Sequence, residues 1–164
     1  MRNTGRVNNR PSAAQKWLAR PEADRDSWNN FRKAAAEVIT AVDTDLQHNL
    51  NVGYTDVDAL LQLSIADDHC QRMAPLARAV SRSPSALTRL VDRLENRGLV
   101  ERTRNSSTEV NVEITDNGLD LLQQASPRIL ATVEERFWSR LTPAERNSLS
   151  EICKKLMADD SPNC

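Results

Sequence analysis

Glycine is scarce in this chain, with four residues in 164. Rossmann and P-loop enzymes concentrate several glycines in one phosphate loop, so both classes are disfavoured. Only two histidines are present, and a Ser/His/Asp set has little to draw on. Neither an HExxH string nor a GxSxG elbow occurs. With these missing, no enzymatic chemistry, no cofactor and no metal are expected. Uninterrupted apolar runs long enough to span a bilayer, about 18 residues, are also absent, so no membrane partner is expected. The start of the chain is polar through Arg10 and lacks an apolar signal core. A cytoplasmic address is the resulting expectation. Cys70, Cys153 and Cys164 form an odd, sparse set that suits a reducing compartment better than a disulfide framework.

Positive charge is abundant, but it is segregated. Residues 1–33 hold eight Lys/Arg against three acids, and residues 34–71 hold seven acids with no Lys or Arg. Residues 72–104 carry eight arginines against three acids, and residues 105–164 six basic against ten acidic side chains. The net charge of −1 therefore conceals a basic block in mid-chain. Clustering of charge matters more than its total for binding phosphate.

The periodicity is mostly helical. Pro11, Pro21 and a polar composition make residues 1–26 a loose extension, with a short helix available over Ala13–Arg20. Ser27 is placed to cap a long helix in which Trp28, Phe31, Ala35, Val38, Ile39, Val42 and Leu46 form one apolar stripe. Thr55 is placed to cap a second helix, and a short third begins near Pro75. Ser83 caps a fourth with Pro84 at its first position, and Gly98 ends it. Leu87, Leu90, Val91 and Leu94 supply its buried face. Alternation of Val110, Val112 and Ile114 with polar residues marks the second strand of a hairpin that starts at Leu99. Thr115 caps a fifth helix, where Pro127 predicts a kink or break near Ser126. Thr142-Pro143-Ala144-Glu145 is a capping box opening the last helix. The fold class that follows is mainly α: a winged helix-turn-helix lobe over 55–115 with a small β-hairpin wing. Further helices lie at 27–50 and 116–158, within one domain over 27–164.

A helix-turn-helix inserts the N-terminal polar face of its second helix into the major groove. Ser85, Thr88 and Arg89 occupy that face, with Arg93 one turn on. An arginine grips guanine through O6 and N7, and a hydroxyl meets base or phosphate. Arg78 and Arg82 flank the turn as phosphate holders, and the hairpin tip is placed for the minor groove. An amphipathic helix with outward arginines is common in any soluble helical protein. The order helix, turn, helix, hairpin, helix is what favours DNA.

The strings Thr88-Arg89-Leu90-Val91-Asp92-Arg93-Leu94-Glu95 and Arg97-Gly98-Leu99-Val100-Glu101-Arg102, with Leu76-Ala77 before and Ile114-Thr115 and Gly118 after, resemble the MarR family of transcriptional regulators. The resemblance covers about residues 28–158. It implies a homodimer held by the helices at 27–50 and 116–158. It further implies a double-stranded, pseudo-palindromic DNA operator, repression, and release by a small aromatic or anionic effector. The chain departs from the family at the wing, where an Asp-Arg-Arg run is replaced by Ser106-Ser107-Thr108. Arg102 and Arg104 remain at the wing base, and Arg104 is the available substitute. By the same resemblance Trp28, Asp58 and Arg89 line a ligand crevice. The plainer alternative has Trp28 in the core, Asp58 favouring a helix dipole and Arg89 on DNA. His69-Cys70 matches no zinc spacing, and Cys70 is a redox sensor only if its pKa is depressed. Two other readings stay open: a winged-helix protein-interaction module, or a small-molecule sensor that has lost DNA binding.

Overall fold

A computed structural model describes residues 12–104 and 110–158. The chain forms two compact units, one ending at Glu37 and one starting at Val38. In the first, helix α1 spans Ala13–Leu18. Ser12 caps it, accepting the Gln15 N–H at 3.2 Å while the Gln15 side chain accepts the Ser12 N–H at 2.7 Å. Helix α2, Glu22–Leu50, begins here and continues into the second unit. It starts five residues ahead of the expected Ser27 cap. Glu22 and Asp24 in its first turn favour the helix dipole, and the Pro21 carbonyl accepts the Arg25 N–H at 3.2 Å. Ser27 is an interior residue whose hydroxyl donates to the Asp24 carbonyl at 2.9 Å.

The second unit carries helix α3 (Tyr54–Ser64), strand β1 (Cys70–Arg72), helix α4 (Met73–Ala79) and helix α5 (Pro84–Asn96). Strands β2 (Val100–Arg104) and β3 (Val110–Ile114) follow, then helices α6 (Asp116–Arg136) and α7 (Pro143–Met157). The antiparallel sheet has the order β1-β3-β2, with Val100 opposite Ile114 and Cys70 opposite Glu113. The expected hairpin is therefore one strand short of the sheet observed. A three-residue strand is too brief to show period-two alternation, and β1 exists because β3 offers it a free edge.

Two apolar clusters hold this unit. Leu60, Leu63, Leu76, Leu87, Val91, Leu94, Val100 and Val112 are buried together, joining α3, α4, α5 and the sheet. Val42, Leu46, Val52, Val57 and Ala125 form the other, joining α2, α3 and α6. Residues 81–83 make the turn before α5, with Ser81 in the left-handed region at φ 51°. Thr115 caps α6, its hydroxyl oxygen accepting the Gly118 N–H at 3.2 Å.

The break expected near Ser126 is not there: α6 runs unbroken through Pro127. Pro127 is exposed, and the carbonyl deprived of its donor, that of Gln123, lies on the exposed side of the helix. Beside it, Ser126 Oγ donates to the Leu122 carbonyl at 2.7 Å, and Arg128 pairs with Asp45 of α2 at 3.0 Å. The helix stops instead at Phe137, whose backbone turns to φ −129°, ψ −67°. No helix among the described residues is long and apolar enough to cross a membrane.

Candidate nucleic-acid interface

Helix α5 is built to present one face. Ser83 Oγ accepts the Ala86 N–H at 3.3 Å, and Pro84 occupies the first turn, where its missing N–H costs nothing. Leu87, Leu90, Val91 and Leu94 bury the inner side. Ser85, Thr88 and Arg89 are left exposed near the N-terminal end. Thr88 Oγ1 donates to the Pro84 carbonyl at 3.0 Å, which fixes its rotamer and leaves the oxygen able to accept. Arg78 on α4 is exposed too. Among the described residues neither Arg78 nor Arg89 has a side-chain hydrogen-bond or ion-pair partner.

The other arginines of the basic block behave differently. Arg82 Nη2 donates to Thr55 Oγ1 at 2.7 Å. Arg93 forms an ion pair with Asp56, whose side chain is only 5% exposed. Arg97 donates to the Asn51 carbonyl at 2.7 Å. Arg102, at the wing base, reaches back to α5, where it pairs with Asp92 at 2.6 Å and with Glu95. It also donates to the Thr88 carbonyl at 3.4 Å. Arg104 ends β2 opposite Val110; its side chain, and the Ser106-Ser107-Thr108 substitution, lie outside the described residues. Sequence reasoning missed the partners: Thr55, Asp56, Asp92 and Glu95. The only local signal was Asp56 three residues after Gly53, where an acid closes back on the helix start. Its carboxylate accepts the Gly53 N–H at 3.0 Å.

The residues expected to share a ligand crevice are not all together. Asp58 lines a cavity of about 500 Å³ with Ile39, Asp43, Tyr54, Val80 and Arg82, and Arg89 is not among its lining residues. Burial pushes the Asp58 carboxyl up from its ordinary value, opposed by a hydrogen bond to Gln62 and by Arg82. Burial, then the neighbouring Asp58, likewise raises the Tyr54 phenol. Trp28 lies in the first unit, 53% exposed on α2, and its ring packs on Phe31 at a centroid distance of 6.5 Å. It is not a core residue of this chain. The Cys70 thiol is raised, by burial first and by Glu113 and Asp68, with a Thr103 hydrogen bond opposing. That is the opposite of what a redox sensor needs.

The MarR family model matches residues 55–107. The transcriptional repressor MprA of Escherichia coli K12 is 28% identical over 102 residues, which is 61% of this chain and 57% of that protein. The HTH-type transcriptional regulator PapX of Escherichia coli is 28% identical over 98 residues, 58% of this chain and 59% of that one. The chain thus spans less than two thirds of the length of either relative. Among solved structures, the MarR family transcriptional regulator AbsC from Streptomyces coelicolor superposes with a TM-score of 0.78 at 24% identity, over 84% of this chain and 93% of its own. Sco3205, a MarR family transcriptional regulator from the same organism solved in complex with DNA, gives 0.78 at 24% identity over 95% of each chain. Residues 55–107 thus match the MarR family model, and the winged helix-turn-helix fold around that segment is the one seen in the solved MarR family regulators.

Proposed function

We propose that this protein is a sequence-specific DNA-binding transcriptional regulator, a repressor acting as a homodimer on a pseudo-palindromic operator in the cytoplasm. One observation carries the reading: α5 buries one face completely and leaves Ser85, Thr88 and Arg89 exposed and side by side at its N-terminal end. That is the composition a major-groove helix needs. Arg89 is the base reader, Ser85 and Thr88 assist it, and Arg78 holds phosphate. Arg82, Arg102 and Arg104 frame the site. The names of MprA and PapX and the DNA complex of Sco3205 support the same reading.

The dimer is proposed to form through the helices at 27–50 and 116–158. Its support is the apolar surface on those helices, including Phe31 of α2, Leu130 of α6, and Ile152, Leu156 and Met157 of α7, all exposed in the single chain. The cavity around Asp58 is the proposed seat of a small aromatic or anionic effector, because its lining includes residues 79–82, which lead into α5.

Selection of bound sequences from a random DNA pool, followed by gel shifts with the winner, tests the proposal. Arg89→Ala is expected to cost about 1–3 kcal/mol of specific binding. A second reading, an interaction module without DNA affinity, is favoured by one fact: Arg82, Arg93, Arg97 and Arg102 are engaged internally. It predicts no sequence enriched from the pool and no binding above the nonspecific, salt-sensitive level.

A further inference from the structure

The row Arg89, Arg93 and Arg97 follows α5 at one-turn intervals, yet its members have different fates. Arg89 is free among the described residues. Arg93 is tied to Asp56 and Arg97 to the Asn51 carbonyl. Arg82, from the turn before α5, is tied to Thr55. Three arginines of the helix-turn-helix therefore converge on six residues, 51–56, where α2 hands over to α3. Asp56 is the one buried member of that segment with a charge. Its carboxylate accepts the Gly53 N–H with one oxygen and Arg93 with the other. The same junction is held to α2 by the Tyr54 N–H, which donates to Asp43 at 2.7 Å.

We infer that Arg93 is a positioning residue rather than a DNA contact: with Asp56 it fixes the rotation of α5 and so aims Ser85, Thr88 and Arg89. A helix packed only through apolar side chains can roll and slide with small change in buried area. A guanidinium held on a buried, doubly hydrogen-bonded carboxylate removes that freedom, because its planar fork has strict directions. The placement in the middle of α5, one turn beyond Arg89, gives the ion pair leverage over the reading face. Removing either partner loosens the helix, and removing Arg93 also leaves the buried Asp56 carboxylate without its counter-charge.

The inference rests on the DNA-binding reading, and the test separates the two. Full-length wild type, Arg93→Gln, Asp56→Asn and the double variant are titrated onto the operator selected from the random pool, by fluorescence anisotropy across a salt series. If Arg93 positions α5, Arg93→Gln and Asp56→Asn each weaken binding about tenfold, a size usual for coupled neighbours. The double variant is then no weaker than the worse single one, and the slope of log K against log salt stays at the wild-type value. The sign for Asp56→Asn is diagnostic: it removes a negative charge, and through the field alone it would tighten binding to a polyanion. A direct phosphate contact predicts the reverse pattern, with Arg93→Gln flattening the salt slope by about one and Asp56→Asn binding as well as wild type or better. That pattern overturns the inference and leaves the function intact. Should Asp56→Asn fail to fold, as a thermal melt would reveal, the salt slope of the exposed Arg93→Gln variant decides alone. If the wild type enriches no sequence, the DNA reading fails and the inference falls with it.

Discussion

Substituting Gly118 by alanine tests the joint between wing and α6. An added Cβ would lie 2.3 Å from the Leu99 carbonyl oxygen and 2.6 Å from Ile114 Cγ1. Neither neighbour can yield cheaply. Ile114 is buried at 6% exposure, and the Leu99 carbonyl accepts the Thr115 N–H at 3.1 Å, beside the Thr115 hydroxyl bond to the Gly98 carbonyl at 2.7 Å. The oxygen must retreat by roughly 1 Å to reach ordinary contact. Overpacking of this kind costs about 1–3 kcal/mol, and losing the Leu99–Thr115 hydrogen bond adds about 1 kcal/mol. Alanine returns about 1 kcal/mol through its better helix propensity. The net destabilisation is about 1–3 kcal/mol, which for a chain of this size lowers Tm by roughly 2–12 °C. Thermal circular dichroism of wild type and variant at one fixed protein concentration measures it, because the melting of any self-associating protein depends on concentration. Gly98→Ala is the informative control. Its Cβ has room, with Asn117 Nδ2 nearest at 3.9 Å, but its φ of +67° strains any L side chain, so it should cost about 1–2 kcal/mol from backbone strain alone. A Gly118→Ala protein that melts at or above wild type would refute the claim that this approach is tight.

Ser83→Ala removes the cap of α5 and should destabilise by about 1 kcal/mol, read as a lower denaturant midpoint with unchanged m-value. Asp58→Asn should stabilise at neutral pH. The Asp58 pKa is raised in the fold, so its charged form opposes folding above that pKa, and the opposition fades as pH falls towards the ordinary value of 3.8. Paired melts at neutral and acidic pH check this, and a variant less stable than wild type at neutral pH would contradict it. Cys70 should alkylate more slowly in the native protein at neutral pH than in the denatured chain, since its thiolate is disfavoured; peptide mass spectrometry after iodoacetamide pulses measures the ratio.

Sequence alone determined what short-range physics controls. Ser83-Pro84 and Gly98 bound α5 because caps act within three or four residues. Its apolar stripe and exposed Ser85, Thr88 and Arg89 followed from the 3.6-residue period, and Thr142 opened α7 through a local capping box. The strings at 88–95 and 97–102 that resemble MarR regulators fall in α5 and just after it, which is why α5 was the most legible part. Tertiary structure decided the rest. Strand β1 depends on an edge supplied some forty residues later. Pro127 did not break α6, because its deprived carbonyl lies on the exposed side and Asp45, far back in the chain, anchors Arg128. Above all, the arginine pattern was the same for Arg89, Arg93 and Arg102, and their roles were not. Arg93 finds a buried carboxylate 37 positions away, and Arg102 finds two on the helix it packs beside. A guanidinium goes where the fold leaves an unpaired charge, and no local periodicity records where that is.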